Sequence, residues 1–351
     1  MYFSSIINAA VSNDADRPLM QKELYPVAEK LQQYLLQYQR DIALPVQYKE
    51  LFYYRYTNAI KNEQGRPTHW ENVVYDTQLL QSLEPRLVQL FLLLYPAATH
   101  NTFYKITAID FCEYANSMPF RITLCNSLSS TQYIYYIKAA DASRLYGLEL
   151  EALLTNNPVH FLYHQQTLVE THIAGIPGDD FLHQLPLLTV ADSHLLAQAF
   201  IQFNEQCFAR LLGDMRSYNF VVAPTATGGF CIRAIDFDQQ CYEGRLNLYL
   251  PQFYKENYAF VALVKQLLQH DAIEYIRMQQ RRQLASHLQD NHQRISHLLQ
   301  VMSQDELSEN YKVLSLKKEL NSYYGTTVFS QCQSMGSVTA TQLALLLQLT
   351  I

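Results

Sequence analysis

The sequence predicts an α+β protein of two lobes, a small antiparallel β lobe and a larger, mainly helical one, with an extra helical module at the N-terminus. Three observations predict it. Apolar side chains recur at helical spacing through much of the first hundred residues. Short runs rich in Ile, Tyr, Phe and Thr follow, in the manner of strands. Helical periodicity then resumes and is broken once by a hairpin signal. The expected division is a helical module over 1–100, a small lobe over 101–178 and a large lobe with a C-terminal helical extension over 179–351.

Taken in order, residues 18–40 and 77–95 carry the spacing of amphipathic helices, and Pro96 ends the second. RITLC at 121–125 and YIYYIKA at 133–139 read as strands joined by the polar turn Asn126 to Thr131. A helix is expected from Ala142 to Leu154 with Asp141 as its N-cap. Two further strands fit 160–164 and 167–173, and Ile176-Pro-Gly-Asp-Asp180 is a turn signal. A helix with an Asp192 cap fits 192–211, and strands fit 220–223 and 230–235 around the Gly228-Gly229 reversal. From Tyr258 to Met302 the pattern is helical, with the basic run Arg277 to Arg282 expected on a solvated face.

Composition narrows the class. A hydrophobic share of 49% against 17% charged residues suits a globular chain. A net charge of −6 gives no basic field for a phosphate backbone, so nucleic acid is not an expected partner. The six cysteines are scattered without the close pairs of a zinc or redox site. The most apolar run, Leu87 to Tyr95, is too short for a bilayer, and the first twenty residues lack the pattern of a secretory leader. No membrane partner and a cytoplasmic location are therefore expected. His160 and His164 are four apart in a strand without an adjacent glutamate, so they read as ordinary histidines.

The chemistry lies in the carboxylates. Phosphoryl transfer needs a carboxylate at the attacking hydroxyl, oxygen ligands for magnesium and a cation on the phosphates. Lys138, late in a strand, is the candidate cation, with Glu149 or Glu151 on the next helix as its partner. Glu149 is preferred because it shares a face with Leu145, Leu148 and Ala152. The run Gly213-Asp214-Met-Arg216-Ser-Tyr-Asn219 leaves a helix and enters the hairpin whose far end is Asp236-Phe-Asp238. The hairpin should return Asp236 beside Asn219.

With these residues the chain resembles the protein-kinase-like superfamily over roughly 102–270, nearer its HipA-type bacterial and aminoglycoside or choline kinase branches than eukaryotic protein kinases. The resemblance implies a two-lobed fold binding ATP and Mg2+. It makes Lys138 the third-strand lysine, Asp214 the catalytic-loop aspartate, Asn219 and Asp236 metal ligands, and Arg216 a cation facing the transferred phosphate. HIAGIPGDDFL at 172–182 resembles the hinge of those enzymes.

Departures are equally plain. No glycine-rich loop precedes Lys138, and Ser129 in the turn at Asn126 to Ser130 is the candidate to hold phosphate in its place. Leu212 and Gly213 stand where an arginine would precede the aspartate, and Asp238 replaces a glycine, as a further metal ligand or as the mark of a degenerate site. Three functions follow: phosphoryl transfer to a hydroxyl on a protein or small molecule, AMP transfer, and a pseudokinase acting as a binding protein.

Overall fold

The computed structural model describes residues 22–62, 65–96, 98, 103–156 and 159–348, so the start of the helix expected over 18–40 lies outside the described residues. The chain divides into two compact units, each α-helical in part and one built on a seven-stranded antiparallel sheet.

The sheet unit comprises Leu24–Leu148 and Asn157–His172. Its elements are α1 (Glu29–Gln37), β1 (Tyr56–Lys61), β2 (Pro67–Val74), α2 (Thr77–Leu94), β3 (Tyr104–Phe111), β4 (Phe120–Asn126), β5 (Gln132–Ala139), the first half of α3 (Ala142–Leu154), β6 (Phe161–His164) and β7 (Thr167–Thr171). The strand order is β1-β2-β3-β4-β5-β7-β6. Helix α2 begins where the Asp76 carboxylate accepts the Gln78 N–H at 2.9 Å. It buries Leu83, Leu87, Leu90, Phe91 and Leu94, spaced as one helical face. That face forms a core with Phe120, Ile122, Leu124, Tyr135 and Ile137, the alternate residues of β4 and β5. The Tyr135 hydroxyl donates to the Leu87 carbonyl at 2.9 Å, which satisfies a buried polar group inside that core.

The opposite sheet face is polar because the register aligns one row across five strands: Asn72, Asp110, Arg121, Tyr136 and Glu170. Arg121 donates twice to Asp110, at 2.8 and 3.0 Å, and stacks over the Trp70 ring at 4.4 Å. The helical module expected over 1–100 is thus corrected: β1 and β2 join the same sheet as β3–β7. Strand β1 sits at the sheet edge with most of its side chains exposed, so it carries none of the apolar alternation that marks a half-buried strand.

The helical unit comprises Glu149–Asn156 and the chain from Ile173 onward, with Lys22 and Glu23. It holds the rest of α3, then β8 (Ile176–Pro177), α4 (Val190–Arg210), β9 (Phe220–Pro224), β10 (Phe230–Ala234), α5 (Tyr258–Leu267), α6 (His270–Asp290), α7 (His292–Met302), α8 (Asn310–Tyr324) and α9 (Met335–Gln348). Strands β8, β9 and β10 form a small antiparallel sheet. Helix α4 is the unit's hub, packed on α5, α6 and α9. Its cap is Thr189, whose hydroxyl accepts the Asp192 N–H at 3.1 Å, rather than Asp192 itself. Stacked and edge-on rings of Phe200, Phe203, Phe220 and Phe260 tie α4 to β9 and α5. The basic run on α6 is only partly solvated: Arg277 and Arg281 both pair with the buried Glu205, at 2.5 and 2.8 Å. No helix among the described residues is long and apolar enough to cross a membrane.

Candidate functional site

Helix α4 ends at Leu211, which adopts the left-handed conformation with φ 55°. The next residues pair with the segment after β10. Cys241 N–H donates to the Leu211 carbonyl at 2.9 Å and Gly213 N–H to the Gln239 carbonyl at 3.2 Å. This clamps Asp214 at the turn. Asp214 is itself left-handed, φ 55°, a conformation Asp tolerates better than most residues. Its N–H donates to the Tyr254 hydroxyl at 2.9 Å, and that hydroxyl donates to the Leu248 carbonyl at 2.7 Å. The amide of Asn257, buried, holds the Met215 carbonyl at 2.8 Å and the Pro251 carbonyl at 2.7 Å.

The loop then folds back on Asp214. Arg216 Nε donates to Asp214 Oδ1 at 2.8 Å, and Arg216 Nη1 reaches Glu256 Oε1 at 3.2 Å. Asn219 Nδ2 donates to the Asp214 carbonyl at 2.7 Å and to its Oδ2 at 3.3 Å. Gly178 permits close packing against this loop: a Cβ there would lie 2.6 Å from the Ser217 carbonyl oxygen and collide with the edge of the Phe220 ring. The hairpin runs in the register Ala234 to Phe220, and Ile235 N–H continues it to the Asn219 carbonyl at 3.0 Å. Asp236 therefore stands next to Asn219, and its Oδ1 accepts the Asp238 N–H at 3.0 Å.

Burial is the largest influence on Asp214 and pushes its carboxyl up to about 6, against the pull of Arg216 and with repulsion from Asp236 and Glu243 added. Arg216, in turn, is held above its ordinary value by Asp214 although burial opposes it. The loop thus presents a carboxylate that can exchange a proton near neutrality, fixed in place by a cation and an amide. Among the described residues no group of three or more His, Cys, Asp or Glu side chains is placed to hold a metal. A Mg2+ ion would be held by Asp236 and by the Asn219 amide oxygen, since Asn219 Nδ2 faces Asp214. The negative charge of Asp236, which helps to raise the Asp214 carboxyl, is the kind of charge such an ion offsets. Asp238 is 3% exposed, and its carbonyl accepts Lys22 Nζ at 2.5 Å.

In the sheet unit Lys138 lies in β5, the third of the five strands β3–β7, with α3 following. Its ammonium pairs with Glu170 Oε2 at 2.8 Å, and Arg144 Nε and Nη2 donate to the same carboxylate. Burial raises the Glu170 carboxyl, but the two cations outweigh it and hold it down at about 2. Glu149, in the helical unit, accepts from Arg294 through both oxygens, at 2.6 and 2.8 Å, and is fully buried. Glu151 pairs there with Arg210. Glu170 and Arg144 escaped the sequence reading because their partnership depends on strand register, which no local pattern reports.

Ser129 falls at the wrong end of the sheet. Its turn adjoins Gln132 at the start of β5, whereas Lys138 is near the end, roughly 20 Å of strand away. The donors around Ser129 are also engaged: Leu128 and Ser129 N–H go to Asn126 Oδ1, and Ser129 Oγ donates to Thr131 Oγ1 at 2.8 Å. At the Lys138 end lies the 112–119 connection between β3 and β4, since Phe120 pairs with Ile137. The count of residues from Ser129 to Lys138 in an extended strand was the signal that could have placed it correctly.

A scan against models of known protein families matches none of them, and a search of curated proteins finds no similar sequence. The functional reading rests on the site alone.

Proposed function

We propose that the chain is an ATP- and Mg2+-dependent phosphotransferase of the protein-kinase-like kind, with Asp214 as the carboxylate that orients and deprotonates an acceptor hydroxyl. One observation carries this reading: the 213–219 loop folds onto the end of the β9–β10 hairpin so that Asp214, Arg216, Asn219 and Asp236 come together. A carboxyl raised to about 6 is ionised at neutral pH yet basic enough to accept a proton in the transition state. Arg216 is placed to face developing negative charge beside it. Asn219 and Asp236 are the residues to hold magnesium, which would neutralise phosphate charge. Lys138, oriented within its own unit, is the residue assigned to the nucleotide phosphates. A strand-borne lysine followed by a charged helix supports that assignment.

A second reading, nucleotide binding without transfer, draws on the Ser129 turn, whose donors are already engaged, and on the lack of a glycine-rich loop. The test is product mass. The protein is incubated with Mg-ATP and a panel of protein and small-molecule hydroxyl acceptors, and products are read by mass spectrometry. Addition of a phosphoryl group, lost in Asp214→Asn, supports the proposal; addition of AMP replaces it with nucleotidyl transfer. No product from any acceptor, with ATP bound, favours the binding protein.

A further inference from the structure

We propose that Glu170, not Glu149, is the positioning residue for Lys138, with Arg144 holding Glu170 from helix α3. The inference rests on the proposed function only in giving Lys138 a phosphate to meet. The pairing itself is geometric. Glu170 stands on β7 opposite Tyr136, two residues along the strand from Leu168, the register partner of Lys138, so the ammonium and the carboxylate meet on one sheet face. All three charged groups are buried: Lys138 is 7%, Arg144 1% and Glu170 4% exposed. Buried charges keep one geometry because separating them exposes each to an uncompensated low-dielectric environment.

Glu149 has a different duty. It lies five positions after Arg144, about 140° further around the helix axis, and its carboxylate is gripped by Arg294 through both oxygens. A carboxylate committed to a bidentate arginine is an anchor for α7 in the helical unit. The sheet unit therefore reverses the arrangement expected from sequence: the strand supplies the acid and the helix supplies a second base.

The experiment uses the full chain and three variants, Glu170→Gln, Glu149→Gln and Glu170→Asp. The acylation rate of Lys138 by an amine-reactive ester at mildly alkaline pH is read by peptide mass spectrometry, and Mg-ATP affinity by calorimetry. Glu170→Gln should speed Lys138 acylation about threefold or more, because the ammonium loses the Glu170 carboxylate, and weaken Mg-ATP about tenfold. Glu149→Gln should leave both within about twofold while lowering the melting temperature, and Glu170→Asp should restore most of both. If Glu170→Gln does not fold, Arg144→Gln replaces it and should slow Lys138 acylation, since Glu170 is then left to the lysine alone. Unchanged acylation in the Glu170 or Arg144 variant, or faster acylation in Glu149→Gln, overturns the proposal. The expected acylation pattern in a protein that binds no ATP would sustain the pairing and reject the phosphotransferase reading instead.

Discussion

The Asp214 loop and the Glu170 trio are both built on a buried carboxylate, yet burial wins in one and loses in the other. Asp214 faces one arginine and the repulsion of Asp236 and Glu243, and its carboxyl rises to about 6. Glu170 faces Lys138 and Arg144 together, and its carboxyl falls to about 2. The balance of cations and anions around each buried carboxyl decides the sign. The first group is suited to take and release a proton near neutral pH. The second stays ionised and serves as a fixed point for two cations.

The largest expected effect comes from removing the reactive member of the comparison. Asp214→Asn should lower turnover of a phosphoryl acceptor by about 10²–10⁴-fold, measured as kcat under saturating Mg-ATP. The structural member should cost stability instead: Glu170→Ala removes the carboxylate shared by two buried cations and should destabilise the chain by about 3–5 kcal/mol in urea unfolding. An equal loss of stability in Asp214→Asn would break the contrast between the two sites. Gly178→Ala should cost about 1–3 kcal/mol and reduce activity in parallel, because the added methyl pushes on Ser217 in the 213–219 loop and on Phe220 at the start of β9.

The pH dependence sharpens the same comparison with opposite signs. Asp214 is raised above its unfolded value, so its stabilising contribution is present when protonated, below about 4, and is lost as pH rises through about 6. Asp214→Asn should therefore gain on the order of 2 kcal/mol at neutral pH while losing activity, as read by thermal unfolding at pH above and below 6. Activity of the unsubstituted chain should fall as pH drops below about 6, because the carboxylate becomes protonated. Glu170 is depressed, so its contribution is present at neutral pH and is lost as pH falls from its ordinary range toward about 2.

Much of the local structure was legible because local chemistry dictated it. Helix α3 has the expected bounds, Ala142–Leu154, and Asp141 Oδ2 accepts the Arg144 N–H at 3.2 Å as its cap. Strands β4, β5, β9 and β10 follow their apolar runs, and the hairpin returns Asp236 beside Asn219 as its turn required. The errors share one cause, which is long-range pairing. Edge strand β1 carries too little buried surface to be seen, Ser129, expected to hold phosphate, lies at the end of β5 away from Lys138, and Glu170 meets Lys138 only through the β5–β7 register. The single helical pattern read over 258–302 is three helices, α5 to α7, because periodicity alone does not mark the breaks at Leu268 and Asn291.

The central claim is that Asp214, Asn219 and Asp236 form a magnesium-dependent nucleotide site. Titration calorimetry of ATP into the full chain and into Asp236→Ala, each with and without Mg2+, tests it without a known acceptor. The account predicts binding that requires Mg2+ and weakens about tenfold or more in the variant. Equal binding by both proteins, or binding indifferent to Mg2+, would contradict it.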